Sequence, residues 1–256
     1  MPGSLYGKRI LTTRPTHQSA NWCAQLQAAG AQVDNIPMLA IKPLREASAL
    51  QAIKSRILSF DQVQEAIFVS QNAVHHGVDW LEDYWPQLPQ GPHYYAIGSA
   101  TAKALQARGI PCEQNRGHMT SEDLLTLPSL QQVTGHRILI FCGVGGRSLI
   151  GNTLRARGAR VTYCALYRRT LPPCAPDALA KYPAIPDAIS VHSGESLANL
   201  AHCIVQSARG QLRHAALVCP SARVAKQARA LGFKHPHSAQ NASDKAMLAA
   251  LRSALD

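Results

Sequence analysis

Two features of the chain carry groups that could do chemistry directly. The first is the turn Cys142-Gly143-Val144-Gly145-Gly146-Arg147-Ser148, which joins the apolar run 138–141 to a helical segment. A glycine-rich turn feeding a helix offers backbone N–H donors and the positive end of the helix dipole, which suits an anion. A dinucleotide fingerprint needs a third glycine here and an acidic residue roughly 20 positions further on. Ser148 stands in the glycine's place, and no Asp or Glu occurs from Leu124 to Pro176. No G-K-[ST] follows, so the P-loop pattern fails too. The acid-free interval does hold Arg137, Arg147, Arg155, Arg157, Arg160, Arg168 and Arg169. Arginine grips carboxylate or phosphate through a planar fork. Gly145 and Arg147 are therefore candidate anion-holding residues. Two other readings stand beside this one: a solvated basic helix face, and an NADP site in which arginine replaces the ribose acid.

The second feature is Tyr167, at the end of an apolar strand and just before Arg168-Arg169. A phenol there could pass a proton or hydrogen bond to a leaving group. A strand-end aromatic packed at a hinge is the competing reading. Around these two lie turns rich in hydroxyls and small residues: Thr13 and Arg14, Ser70 and Asn72, Gly98 and Thr101, Ser193, Ser221 and Arg223. In parallel α/β sheets such turns line the crevice at the carboxyl ends of the strands. Helix capping selects the same residue types. Each turn alone reads as a cap; the set reads as many small contacts to one polar ligand.

Other chemistries find no pattern. There is no G-x-S-x-G elbow and no H-E-x-x-H. His235-Pro236-His237 has no third ligand nearby and reads as a loop, so no metal is expected. The formal net charge is +11, from 26 Lys and Arg against 15 Asp and Glu, which favours an anionic partner. Aromatics are only 5% of the residues, and no basic helix or aromatic-studded strand pair appears, so nucleic acid is not the expected partner. The dispersed cysteines form no C-x-x-C pair and read as reduced thiols of a cytoplasmic protein. The first residues lack the apolar core of a signal peptide, and no run reaches membrane-spanning length.

The elements that must position these residues alternate between short apolar runs and helical patterns, the mark of an α/β chain. Strands are expected over 9–13, 31–39, 66–70, 94–99, 137–141, 161–167, 188–193 and 215–219. Helices are expected over 19–29, 72–81 and 100–109, and Gly30, Gly109, Gly158 and Gly232 read as helix C-caps. The chain also repeats itself. Arg9-Ile10-Leu11 recurs as Arg137-Ile138-Leu139, and at the same spacing Gly30-Ala31 falls on Gly158-Ala159. Ser70 falls on Ser193 and Gly109 on Gly232 at a second constant spacing. Two related halves follow, either in tandem or with the chain crossing twice through 35–44 and 162–172.

Taken in order, ILTTRP, FVSQNAV, AIGSATAKAL, TSEDLL, CGVGGRSLI, ALYRRT and LVCPSARVAKQARALGF make the chain resemble the uroporphyrinogen-III synthase family over nearly its whole length. The resemblance implies two flavodoxin-like parallel-sheet domains with a cleft between them, joined by a two-stranded antiparallel ribbon. Residues 1–36 and 172–256 would form one domain and 44–162 the other, with 37–43 and 163–171 as the ribbon. It implies cyclisation of linear hydroxymethylbilane with loss of water and inversion of ring D, using neither metal nor organic cofactor; a monomer is expected, though not from the resemblance. Tyr167 matches the family tyrosine proposed to assist departure of the hydroxyl, and Thr101 a threonine that contacts substrate. Ser70, Asn72, Ser193 and Ser221 match turns that face the cleft. His192 stands where the family often has a hydroxyl, and Val224 lies opposite Thr101 in the repeat. An NADP-dependent oxidoreductase and a non-catalytic anion-binding protein are the alternatives.

Overall fold

A computed structural model describes residues 5–113, 120–146, 148–183 and 185–256. In chain order the elements are β1 Arg9–Thr12, α1 Thr16–Ala28, β2 Gln32–Asn35, β3 Ala40–Pro43, α2 Ala47–Leu58, β4 Glu65–Phe68, α3 Gln71–Tyr84, β5 His93–Ala96, α4 Ser99–Ala107 and α5 Ser121–Leu124. There follow β6 Arg137–Gly143, α6 Leu149–Ala156, β7 Arg160–Thr170, α7 Ala175–Ala180, β8 Ala188–Ser190, α8 Gly194–Gln206, β9 Ala216–Cys219, α9 Ala222–Ala230, β10 His235–Ser238 and α10 Asp244–Leu255. The chain separates into two compact units, Met1–Ala40 with Thr170–Asp256, and Ile41–Arg169.

The first unit holds one sheet in the order β2-β1-β8-β9-β10, with every neighbouring pair parallel. Counted within the unit, that order is 2-1-3-4-5, as in flavodoxin. The second unit's sheet runs β3-β7-β6-β4-β5; β7, β6, β4 and β5 are parallel to their neighbours. β3 lies on the outer edge of β7, where the Leu44 N–H donates to the Leu166 carbonyl at 3.0 Å.

Burial on both faces explains why the strands read as continuous apolar runs. In β1, Ile10 and Leu11 enter different core clusters, and in β6 Ile140 and Phe141 do the same. Phe68 stacks on Phe141 with centroids 4.4 Å apart, and Gly77 of α3 is what lets the helix lie against them: a Cβ there would sit 2.9 Å from the Phe141 ring. Burying each such aromatic contributes about 1.5–3 kcal/mol. The four helix-ending glycines read from the sequence all take positive φ, from 70° to 93°.

Two strands differ from the sequence reading. β2 stops at Asn35: beyond it the Ile36 and Met38 N–H groups turn back to the Thr12 and Thr13 carbonyls, and Pro37 between them has no N–H to extend a ladder. His235-Pro236-His237 is not a loop but part of edge strand β10, paired with β9 and with Pro236 buried. An edge position tolerates proline because one side of the strand needs no donors. β7 runs Arg160–Thr170 and pairs with β6 over the stretch expected as a strand, 161–167.

Candidate functional site

In each unit the chain adds strands to one side of a central strand and then switches to the other. The switch falls between β1 and β8 in the first unit and between β4 and β6 in the second. Turns at the carboxyl ends of these strands are where open α/β sheets bind ligands.

In the second unit this end is built around Tyr167. A β-bulge between Cys142 and Gly143 inserts an extra residue into β7, so Leu166 and Tyr167 pack into the same core. Such bulges re-aim side chains. The Tyr167 ring then fills the space a Cβ of Gly143 would occupy, 2.6 Å from Cε2. Its hydroxyl lies 2.8 Å from Ser70 Oγ. Ser70 caps α3, accepting the Ala73 N–H at 3.1 Å, and so ties the phenol to the start of a 14-residue helix. The His76 ring lies 5.7 Å away. Burial raises the Tyr167 pKa above its usual 10, with the Ser70 bond and Arg169 pulling the other way. The phenol is therefore protonated near neutral pH and has a proton to give.

The glycine turn opens on the other face of the same strands. A cavity of about 770 Å³ is lined by Cys142, Gly143, Gly145, Ser148 and Arg169, with Tyr163 and Arg155 on its wall. Arg155 lies over the Tyr163 ring at 5.4 Å and donates to the Val161 carbonyl. Gly145 adopts φ 75°, a turn conformation costly for any other residue. Arg147 lies outside the described residues. Gly98, with φ 82°, precedes α4. Thr101 is buried in that helix's first turn, and Asn72 is half-buried in the first turn of α3.

In the first unit the Thr13 hydroxyl donates to the Ser190 carbonyl at 2.9 Å and ties β1 to β8. Arg14 pairs with Asp244 at 2.5 Å and lies over the Trp22 ring at 5.5 Å. Its charge is thus matched inside the unit, at the start of α10. Ser193 caps α8 and Ser221 caps α9, accepting the Ser196 and Val224 N–H groups at 3.0 and 3.4 Å. Arg223 is exposed, its Nη1 4.0 Å from where a Cβ on Gly194 would stand, so the starts of α8 and α9 are neighbours. A serine that caps still keeps its own proton to donate. On α3, His75, His76 and Asp79 bring ligand atoms within 4.8 Å of one another, but Asp79 already pairs with Arg108 at 2.9 Å.

The family model described as uroporphyrinogen-III synthase HemD matches residues 20–249. The chain belongs to the uroporphyrinogen-III synthase family. Among relatives, the uroporphyrinogen-III synthase of Escherichia coli K12 is 36% identical over 255 residues, covering 95% of this chain and 99% of the relative. That of Salmonella typhimurium LT2 is 34% identical over 247 residues, with 95% and 99% covered. A mutant uroporphyrinogen III synthase from the extremely thermophilic bacterium Thermus thermophilus superposes with a TM-score of 0.64 at 19% identity, over 97% of this chain and 99% of that one. The uroporphyrinogen-III synthetase of Helicobacter pylori 26695 gives 0.63 at 15%, over 96% and 99%. At these identities the two structures speak for the fold.

For this uroporphyrinogen-III synthase family member, the geometry gathers Ser70 and Tyr167 at one point and Ser193, Ser221 and Arg223 at another. Gly145 follows Val144, whose N–H donates to the Tyr167 carbonyl at 2.8 Å. Sequence reasoning did not single out His76 as the neighbour of Tyr167. The available signal was its place on the helix that Ser70 caps, under two turns from the cap.

His192, between β8 and Ser193, carries a further consequence. Its ring stands edge-on to Trp22 at 5.3 Å, and among the described residues neither ring nitrogen has a hydrogen-bond partner. Burial, helped by Arg14, pushes its pKa from 6.5 down to about 3. The folded state refuses a proton that the unfolded state accepts. This contribution to stability is therefore complete above pH 6.5 and is lost as pH falls toward 3. His192→Phe keeps an aromatic ring against Trp22. It is expected to flatten the acid limb of stability against pH in that window, as read by urea unfolding. An unchanged limb would show that the imidazole does not control it.

Proposed function

We propose that the chain cyclises linear hydroxymethylbilane to uroporphyrinogen III, losing water and inverting ring D, as a hydro-lyase of tetrapyrrole biosynthesis. Family membership over residues 20–249 carries this reading. The finer assignments belong to the same proposal. Segments 1–36 and 172–256 form one α/β domain, 44–162 the other, and 37–43 with 163–171 the ribbon joining them. The enzyme works as a cytoplasmic monomer with neither metal nor organic cofactor.

The electron-rich pyrrole itself expels the hydroxyl, so no strong protein nucleophile is needed. Tyr167, protonated and held by Ser70, donates to the departing oxygen, which leaves as water. The remaining task is to hold the chain folded so that ring D is attacked at its substituted carbon, which is positioning rather than acid–base power. The substrate's eight carboxylates meet a chain of net charge +11. Thr13, Asn72, Gly98, Thr101, Gly145, Arg147, Ser193, Ser221 and Arg223 supply N–H, hydroxyl and guanidinium contacts; Arg14 contributes through its backbone and its hold on Asp244. Incubation with hydroxymethylbilane and separation of the isomers tests the reading. The type III isomer is expected, at a rate proportional to enzyme. Only type I, formed at the rate seen without protein, would overturn it.

A further inference from the structure

The second unit has a basic cavity at the opposite ends of its strands, away from the turns. Arg137 begins β6, Arg160 begins β7, and Arg56 comes from the last turn of α2. With Ser55 and Thr162 they line a cavity of about 340 Å³ over an apolar floor that includes Leu139. Among the described residues, none of the three guanidiniums has a carboxylate within ion-pair distance. Arg137 is steadied by the neutral Gln62 side chain instead.

The first unit treats the matching position differently. Arg9, the repeat counterpart of Arg137, begins β1, and its backbone N–H donates to Asp187 at 2.8 Å. Lys8 lies 3.9 Å from the same carboxylate. One half of the repeat thus supplies an anion from its own chain at the strand starts. The other half gathers three cations around a hollow, and the acid at its strand starts, Glu65 of β4, is buried beside His136 at 3.2 Å and pairs with none of the three. Like charges held together without a counterion repel, and a low-dielectric floor strengthens the effect.

We propose that this cavity binds an oligophosphate group, either free or as the phosphate tail of a nucleotide, at a site separate from that of the tetrapyrrole. Each guanidinium can take two oxygens in a fork, so three of them match a short chain of tetrahedral oxyanions, with the Ser55 and Thr162 hydroxyls completing the shell. A phosphate chain also packs several charges into a small space. The cavity has less than half the volume of the one beside the glycine turn, too little for a substrate with eight carboxylates.

The test is calorimetric titration of the full chain with tripolyphosphate in salt near 0.15 M. One site per chain is expected. Arg56→Gln/Arg160→Gln should weaken binding at least tenfold. Lys103→Gln/Lys234→Gln removes the same charge from exposed positions elsewhere and should stay within twofold of wild type. Arg160→Gln alone, at an exposed strand start, should weaken binding in the same direction. Parallel titrations with pyrophosphate and ATP identify the source: tighter binding of ATP points to a nucleotide, tighter binding of tripolyphosphate to the free anion, and either supports the site. No saturable binding of any of the three would overturn the proposal. So would equal weakening in the two double variants, which marks general attraction of a polyanion, or displacement by linear tetrapyrrole, which places the anion in the substrate's own site.

Discussion

Replacing Tyr167 with Phe is expected to lower the turnover of hydroxymethylbilane about 100-fold or more while KM changes by only a few-fold, as for loss of a positioned proton donor. The substitution keeps the ring in the space beside Gly143 and removes only the oxygen bonded to Ser70. The lost hydrogen bond costs stability about 0.5–1.5 kcal/mol, so the variant should fold. Ser70 retains its cap on α3 through the Ala73 N–H. The wild-type pH profile should carry the same signature. A donor must be protonated, and burial raises this phenol above 10, so its contribution persists through neutral pH and is lost only as pH climbs past the raised value. Rates of type III formation in the two proteins decide the matter. An unchanged rate would remove Tyr167 from the chemistry and leave it a packing residue.

Gly143→Ala is expected to reach the same phenol from the other side. A Cβ would stand 2.6 Å from Cε2 and 2.9 Å from Cζ of Tyr167, closer than any real contact. Either the ring turns away from Ser70 or the bulge opens. The expected cost is about 1–3 kcal/mol in urea unfolding, in the range of overpacked cores. Turnover should fall about as far as in Tyr167→Phe. Gly146→Ala is the control, because its Cβ would meet only the Gly143 carbonyl at 3.6 Å and its φ is not positive. Combining Gly143→Ala with Tyr167→Ala removes the clash, so the two costs should add to less than their sum. Full additivity would show that the glycine and the ring do not compete for space.

These two residues also show what a sequence can disclose. The interior strands of both sheets were legible because burial on both faces writes them as apolar runs. β10 was not: HPHS carries no such run, and its pairing comes from β9. α2 went unread as well, although Ile53 and Ile57 sit one turn apart. At the site, the serines were legible as caps, since a cap is a local bond. The partnership of Ser70 with Tyr167 spans 97 positions and leaves no trace in spacing. Arg14 was read as an anion holder, and the anion it meets is Asp244, from 230 positions away. The three glycines of the turn look alike in one dimension. In the fold, Gly143 makes room for a ring, Gly145 supplies a left-handed turn, and Gly146 does neither.

The first unit draws its strands from both ends of the chain, and this bears on how the protein is made. β1 is an interior strand of its sheet, but its neighbour β8 begins only at Ala188. On the ribosome, Ile10, Leu11 and Trp22 emerge well before β8, β9 and β10 and have no complete sheet to join. The second unit, a single stretch of chain from Ile41 to Arg169, can finish earlier. At about 5–20 residues per second the early strands wait on the order of ten seconds, with their apolar faces open to chaperones and to one another.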